Sequence, residues 1–447
     1  MRLGEVKLMK WWSEIMSKQA KSQNDKAWEA LFKKYDILSK IELNGKFIIS
    51  AAQIKEYREP RLMAKFDHNI NLPQIFAKNN LAILPISRGD YIISHFEVYQ
   101  PFEVVDKSIT KVSLPVNLQS LDAYNISSET IAINCALASG MLSDFLEEDI
   151  LYSTVSGRMG SGRFDFSIQN SRTKTLTALS INNSQIEIDA AFEGIQSLSL
   201  LEAKRDLSED FLVRQLYYPY RVWRSRVTKK VKPIFLVYSN GIFSLYEYEF
   251  QDPNSYNSLV LVKHKNYSIE DTEIELSDLQ KVAQYVKIVS EPNISFPQAN
   301  SFERVINICE LLNVQELSRE QITEEYAFDI RQTNYYTDAA RYLGLLEKHY
   351  EDGHKPIYSL SESGKRIINL NYKQRQLAFC EVILRHRAFK ETFNHCMETG
   401  SMPDTKTIVS IMQESNLYNV KSMSTYVRRS STISGWINWM LGLILKE

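Results

Sequence analysis

Cysteine is scarce in this chain: four in 447 residues, Cys135, Cys309, Cys380 and Cys396, far apart and without C-x-x-C spacing. That excludes a disulfide framework and a zinc ribbon, and a reducing, cytoplasmic compartment fits best. Histidine is also sparse, and His68, His95 and His395 make no recognisable metal-ligand spacing. An excess of charge of either sign is missing, since 53 Lys and Arg stand against 54 Asp and Glu. Binding to nucleic acid would therefore need a local basic patch. The longest apolar run, residues 439–445, is far short of the roughly 20 residues that cross a bilayer, so no membrane partner is expected. The opening MRLGEVKLMKWW lacks the apolar stretch of a secretory signal. No repeat recurs at a fixed period, which excludes a solenoid.

What is present is an ordinary globular composition, 44% hydrophobic and 24% charged, in a chain long enough for about three domains. Residues 1–120 read as an α/β unit, open to DNA contact. An amphipathic start (Trp11, Trp12, Ile15, then Trp28, Leu31, Phe32) leads to strand-like FIIS, LAILPI and YIISHFEVY. Within it, Arg61, Lys65 and His68 alternate with apolar residues, and Ser87-Arg88-Gly89-Asp90 reads as hairpin punctuation. Residues 121–265 read as a helix, several strands, one polar helix over 208–226 and more strands, an α+β domain with a mixed sheet. Residues 266–300 are polar and contain Pro292 and Pro297, as a linker would. Residues 301–370 read as three short helices, the second opened by the capping box Ser318 to Gln321 and the third closed by Gly344. A two-stranded hairpin turning at Asp352-Gly353 comes next, the pattern of a winged helix. Residues 371–447 repeat the helical reading as a second helix-turn-helix-like unit, with Trp436 and Trp439 as core.

The chemistry concentrates in residues 186–204, IEIDAAFEGIQSLSLLEAK. If residues 194–197 form a four-residue loop, Glu193 faces Leu198 and the antiparallel pairing brings Asp189 opposite Glu202, with Lys204 on the face of Glu202. Two carboxylates in an apolar sheet repel unless a cation lies between them, and an all-oxygen pair favours magnesium or manganese over zinc. Lys204 would orient or deprotonate a water aimed at phosphorus. The same residue types also occur on solvated sheet faces. Next comes the polar helix, capped by Asp206 or Ser208, with Arg214, Tyr217, Arg221 and Arg224 on one face and Pro219 placed to kink or end it. Between residues 204 and 232 nine basic residues stand against three acidic ones, which suits a phosphate backbone.

Upstream, SGRMGSGR (residues 156–163) carries Arg158 and Arg163 among glycines. It lacks the Walker A pattern, and reads either as a backbone lying along DNA or as a flexible loop. Asp165, just beyond, is an alternative metal ligand. In the C-terminal part, Gln332 and Asn334 open the third helix of the winged-helix pattern, where base edges are met, and Arg428 and Arg429 hold a similar place in the second unit.

Asp189, Glu202-Ala203-Lys204, and Gln215 with Tyr217 or Tyr218 in RQLYYPYR resemble the PD-(D/E)XK nuclease superfamily over about 120 residues. The overall layout looks like a type II restriction endonuclease with winged-helix modules. Ile188 stands where the superfamily often has proline. The resemblance implies that Asp189 and Glu202 ligate Mg2+, that Lys204 positions the attacking water, and that Gln215 braces the site. It also implies site-specific hydrolysis of double-stranded DNA in a restriction-modification system, with a protective methyltransferase in the same cell. A homodimer is compatible with this. Competing readings are a winged-helix DNA-binding regulator with a structural nuclease-like core, and a repair or defence nuclease without sequence specificity.

Overall fold

Ser22 receives the backbone N–H of Asp25 while the Asp25 carboxylate receives that of Ser22, and this reciprocal cap starts α1 (Gln23–Tyr35). Its Trp28, Leu31 and Phe32 are buried, with Trp28 and Phe32 edge-on to Phe76. The computed structural model to which these observations belong describes residues 21–103, 105, 107–351 and 355–444. Trp11, Trp12, Ile15 and the Asp352-Gly353 turn lie outside the described residues. After α1 come α2 (Ile37–Asn44), β1 (Phe47–Ser50), α3 (Ala51–Lys55), α4 (Pro60–Ala64), α5 (Gln74–Lys78), β2 (Ala82–Pro85) and β3 (Asp90–Ser94). β3 lies antiparallel between β1 and β2. The Ser87–Asp90 turn is indeed a hairpin connection, with Ile86 and Ser87 N–H donating to the Asp90 carbonyl.

The boundary at residue 120 does not hold. β4 (Tyr99–Pro101) and β5 (Ile109–Lys111) belong with the central region of the chain, because β5 pairs in parallel with Asn266 to Ser268 at the edge of the main sheet. Next are α6 (Glu129–Ala138), α7 (Met141–Leu146), β6 (Tyr152–Gly160), β7 (Arg163–Gln169), β8 (Leu176–Asn182), β9 (Gln185–Glu193), β10 (Ser197–Lys204) and β11 (Asp210–Leu212). α8 (Arg214–Arg224), β12 (Lys230–Ser239), β13 (Ile242–Phe250) and β14 (Leu259–Ser268) complete the region. The seven-stranded sheet runs β5-β14-β13-β12-β10-β9-β6 and is mixed: β10 is parallel to β12, and β14 to β5. α8 is the crossover between β10 and β12. It and the β7–β8 hairpin cover one face, where Tyr217, Tyr218, Phe166 and Phe235 pack. α6 and α7 cover the other, over Phe192, Leu201 and Leu236. The helix expected from residue 208 starts later, because residues 210–212 pair with β4 instead. It then runs through Pro219 to Arg224 without ending.

The β9–β10 turn fixes the register of the candidate site. Glu193 pairs with Leu198 as expected, and the Glu148 carboxylate, buried after α7, accepts N–H bonds from Ile195, Gln196 and Ser197 and the Ser197 hydroxyl, at 3.0–3.1 Å. Gly194 is required here, since a Cβ on it would lie 2.4 Å from the Glu148 carboxyl carbon. Glu148→Ala strands buried donors, so unfolding free energy is expected to fall by about 2–3 kcal/mol, read from a urea midpoint. A change below about 0.5 kcal/mol would show that the turn holds itself.

The C-terminal part is helical: α9 (Leu276–Tyr285), α10 (Phe302–Val314), β15 (Leu317–Ser318), α11 (Arg319–Glu325), α12 (Ile330–Tyr342), β16 (Leu346–Glu351), β17 (Lys355–Leu360) and α13 (Glu362–Ile368). α14 (Tyr372–Leu384), α15 (Arg387–Thr399), α16 (Thr405–Glu414) and α17 (Met423–Gly442) complete it. The strands form a sheet in the order β15-β17-β16. Residues 266–300 are not a free linker. Leu279, Ala283, Val286, Phe296 and Ala299 are buried in the same core as Phe302, Phe389 and Trp436, and the Trp436 indole donates to the Ala299 carbonyl at 2.6 Å. Their polar surroundings conceal an apolar stripe at i, i+4, i+7. No helix among the described residues is long and apolar enough to cross a membrane.

Candidate active site

β9 and β10 part at the residues that carry the charges. Their pairing ends at Leu201 with Ala190, so Asp189 and Glu202 are not a cross-strand pair as the register alone implies. On its other edge β9 slips against β6, with Asp189 and Ala190 together opposite the one residue between Val155 and Gly157. Such an irregularity re-aims side chains. Asp189 turns its Oδ2 to the Ala203 backbone N–H at 2.8 Å, replacing the missing ladder bond with a side chain.

Glu202 Oε1 accepts from Lys204 Nζ and from Gln215 Nε2, both at 2.5 Å, and Lys204 also reaches the Ala203 carbonyl at 3.2 Å. Thus Asp189, Glu202, Lys204 and Gln215 do come together, and all four line an open cleft of about 640 Å³. Burial pushes the Glu202 carboxyl up to about 8, with Lys204 opposing and Asp189 reinforcing the shift. For Lys204, burial favours the neutral amine, but Glu202, Glu129, Asp67 and Asp189 outweigh it and hold the pKa well above the ordinary lysine value. Lys204 is therefore an ammonium, suited to orienting a water and not to deprotonating one.

Two unexpected acids share the cleft. Glu129, in the first turn of α6, has its carboxyl raised by burial, with Lys204 opposing and Asp189 reinforcing. Asp67 comes from the N-terminal unit. Burial would raise it, yet Lys204, Lys65, Arg214 and His68 hold it below the usual carboxylate range. Neither had a sequence signal: Glu129 is an ordinary helix-start acid, and Asp67 lies far away in the chain. Arg61, Lys65 and Arg88 also line the cleft.

The residues fit a divalent cation. Among the described residues, Asp189 and Glu202 each retain one oxygen without a protein donor, and Gln215 Oε1 and Asp67 Oδ1 are buried acceptors with no partner. No group of three or more His, Cys, Asp or Glu side chains that could hold a metal ion occurs among the described residues. One or two carboxylates with retained waters are the usual setting of Mg2+.

The expected basic face is broken up. Arg214 lines the cleft, its guanidinium 5.8 Å from the Tyr218 ring centre. Arg221 instead bonds the Asp165 carbonyl and the Tyr217 hydroxyl, and Arg224 the Tyr220 hydroxyl, outside the cleft lining. Lys229, Lys230 and Lys232 face Glu193, Glu249 and Glu247. Arg158 lines the cleft but pairs with Glu187, whereas Arg163 and Asp165 are exposed on β7 away from it. Gly160 explains part of the glycine-rich segment: a Cβ there would lie 2.3 Å from Asn183 Oδ1. Gln332 and Asn334 on α12, and Arg428 and Arg429 on α17, are also outside the cleft. Gln332 Oε1 and Arg429 Nε and Nη1 are buried without partners among the described residues.

Immediately after Lys204, the chain is held from both sides. His68 Nδ1 is 2.6 Å from the Asp210 carbonyl and Nε2 is 3.2 Å from Asp206 Oδ2. Both partners are acceptors, so both ring nitrogens donate and the ring is an imidazolium. Burial opposes that charge, but Asp206 outweighs it and raises the His68 pKa; the same bond carries Asp206, against burial, down to about 2. The Asp206 displacement corresponds to about 2 kcal/mol. This stabilisation is fully present between about pH 4 and 6.5, fades as pH falls through the low Asp206 pKa, and fades again as pH rises through the raised His68 pKa. Thermal midpoints of wild type and His68→Gln should accordingly converge as pH is raised from 6 to 9. A gap independent of pH would rule out the charged pair.

Residues 25–93 match the model of a domain of unknown function (DUF6996), residues 94–268 that of another (DUF6997), and residues 304–445 that of a third (DUF7226). The second match spans the end of β3 to the end of β14 and so contains the main sheet with Asp189, Glu202, Lys204 and Gln215. No curated protein and no solved structure matches the chain.

Proposed function

We propose that the protein is a magnesium-dependent endonuclease of PD-(D/E)XK type that hydrolyses phosphodiester bonds of double-stranded DNA at a specific sequence. The observation that carries this reading is the convergence of Asp189, Glu202, Lys204 and Gln215 in one cleft, at the point where two paired strands separate. Asp189 and Glu202 would hold the cation, which when bound supplies charge stabilisation at phosphorus and a more acidic water. Lys204, held as an ammonium, donates to the water or to a phosphate oxygen. Gln215 fixes Glu202, and Ala203 N–H fixes Asp189, so neither carboxylate must reorganise when a phosphate arrives. Hydrolysis adds water across one P–O bond, with the strand end leaving as an alcohol.

Site specificity is the further part of the proposal. The order α10, β15, α11, α12, β16, β17 is that of a winged helix, and α12 begins with Gln332 and Asn334, where base edges would be read. A sequence-specific cutter of this kind needs a methyltransferase protecting the same sites, and a reducing cytoplasm suits its four buried free thiols. The test is a digest of plasmid and phage DNA with Mg2+. Discrete bands are expected; a smear would leave hydrolysis without specificity, and intact DNA across many substrates would defeat the proposal.

A further inference from the structure

We infer that the N-terminal unit is the opposite wall of the cleft and grips the phosphate backbone of the DNA strand being cut, through Arg61, Lys65 and Arg88. The inference rests on the hydrolytic reading of Asp189, Glu202 and Lys204, and adds a phosphate-binding surface outside the main sheet.

The first support is rigid placement. The N-terminal unit is bonded to the sheet region around the cleft. Leu212 N–H donates to the Asp67 carbonyl at 2.9 Å, Asn69 N–H to Asp210 Oδ1 at 2.9 Å, the Tyr218 hydroxyl to the Pro85 carbonyl at 3.1 Å, and Asn182 N–H to the Ile86 carbonyl at 2.8 Å. The last two anchor the β2–β3 hairpin, so the Arg88 turn is fixed against α8 and the β7–β8 hairpin. An Arg88 guanidinium nitrogen lies 3.7 Å from where a Gly160 Cβ would stand, on the side that Asn183 also occupies.

The second support is the state of the cations. Lysines of the main sheet are tied to acids: Lys229 to Glu193, Lys230 to Glu249, Lys263 to Glu147 and Lys265 to Asp144, all within 2.8 Å. Arg61 and Arg88 have no acceptor among the described residues, and Lys65, 57% exposed, has only Asp67 at 3.4 Å. All three line the cleft that holds the carboxylates.

The third is electrostatic need. Glu59, Asp67, Glu187 and Asp189 line this cleft and would repel a polyanion. A phosphodiester strand can approach Asp189 and Glu202 only if positive charge flanks its path. Arg221 and Arg224 do not supply it, since their guanidinium groups are turned onto tyrosine hydroxyls away from the lining. Arg61, Lys65 and Arg88, with Arg214 from α8, do.

The test uses the full-length chain carrying Asp189→Asn, so that binding is read without cutting. It is compared with the same chain carrying Arg61→Gln and Arg88→Gln in addition. Anisotropy of a fluorescein-labelled 20-base-pair duplex, with Ca2+ present, is tracked across KCl concentrations. Removing two phosphate contacts should flatten the slope of log K against log salt by about 2 and weaken binding at least about tenfold at moderate salt. An unchanged slope with affinity within about twofold would overturn the clamp. Wild-type cleavage of plasmid, run alongside, separates the two claims. If wild type cuts and the slope is unchanged, only the clamp fails; if wild type neither cuts nor binds, the hydrolytic reading fails and the clamp with it.

Discussion

Glu202→Gln and Asp189→Asn are each expected to lower Mg2+-dependent cleavage by at least about 1,000-fold, roughly 4 kcal/mol of barrier. Both substitutions keep the shape of the side chain and remove the charge that would hold the cation. The Asn variant still offers an oxygen to the Ala203 N–H, and the Gln variant can still face Gln215, so folding should survive. Thermal midpoints within a few degrees of wild type would document that. Duplex binding in Ca2+ should persist, since the backbone contacts lie elsewhere. Single-turnover cleavage of supercoiled plasmid measures the effect. Residual activity within about tenfold of wild type, in either folded variant, would remove that carboxylate from the chemistry.

The second large effect concerns the C-terminal half. A chain ending near residue 290 is expected not to yield a stable, competent core. Asn307, fully buried, accepts from Leu207 N–H at 3.1 Å and donates to the Arg205 carbonyl at 2.8 Å. Glu310 receives the Ser239 hydroxyl and the Asn240 N–H at 2.7 Å each, and Gln376 exchanges two bonds with Asn240. Ala327 N–H donates to Asp206 Oδ2 at 3.1 Å, and Arg58 pairs with Glu324 at 2.7 Å. At about 1 kcal/mol net for each bond, the truncation removes about 5 kcal/mol or more, comparable to the whole stability of many domains. Calorimetry of the full chain should show one cooperative transition. A soluble fragment of residues 21–290 that unfolds cooperatively, or two well-separated transitions in the full chain, would contradict this.

That expectation reverses what the polar residues 266–300 suggest, for a physical reason. Leu279, Ala283 and Val286 are too few to raise the local hydropathy, yet they lie on one helical face and are buried against a core assembled from residues up to 440. Periodicity over ten residues reveals a helix only if something covers it, and sequence does not say what does. The strand pair carrying Asp189 and Glu202 was legible because alternation and a short turn define a register. Its separation beyond Leu201 was not, since it depends on β6 pulling on β9 and β12 on β10, partners distant in the chain. The arginine stripe of α8 shows the converse. Spacing correctly placed Arg214, Arg221 and Arg224 on a helix, but the tyrosines beside them and the β7 carbonyl, invisible to spacing, claim Arg221 and Arg224. Asp67 and Glu129 escaped notice, and Arg88 was read only as part of a hairpin turn, because only tertiary contact brings them to the cleft.

The meeting of three regions on residues 205–207 has a consequence for the order of synthesis. Asp206 is gripped by His68, made early, and by the Ala327 backbone, made late; Asn307 holds the residues on either side of it. When Lys204 is made, more than half of the 447-residue chain still follows it, so the segment behind the ammonium has only its N-terminal anchor. Domains generally fold in the order they emerge, but this one is stitched across that order. A nascent or prematurely terminated chain would thus hold the carboxylates without the brace that fixes the strand end. On the proposed nuclease reading, competence to cut would arrive only with the C-terminal helices proposed to select the site.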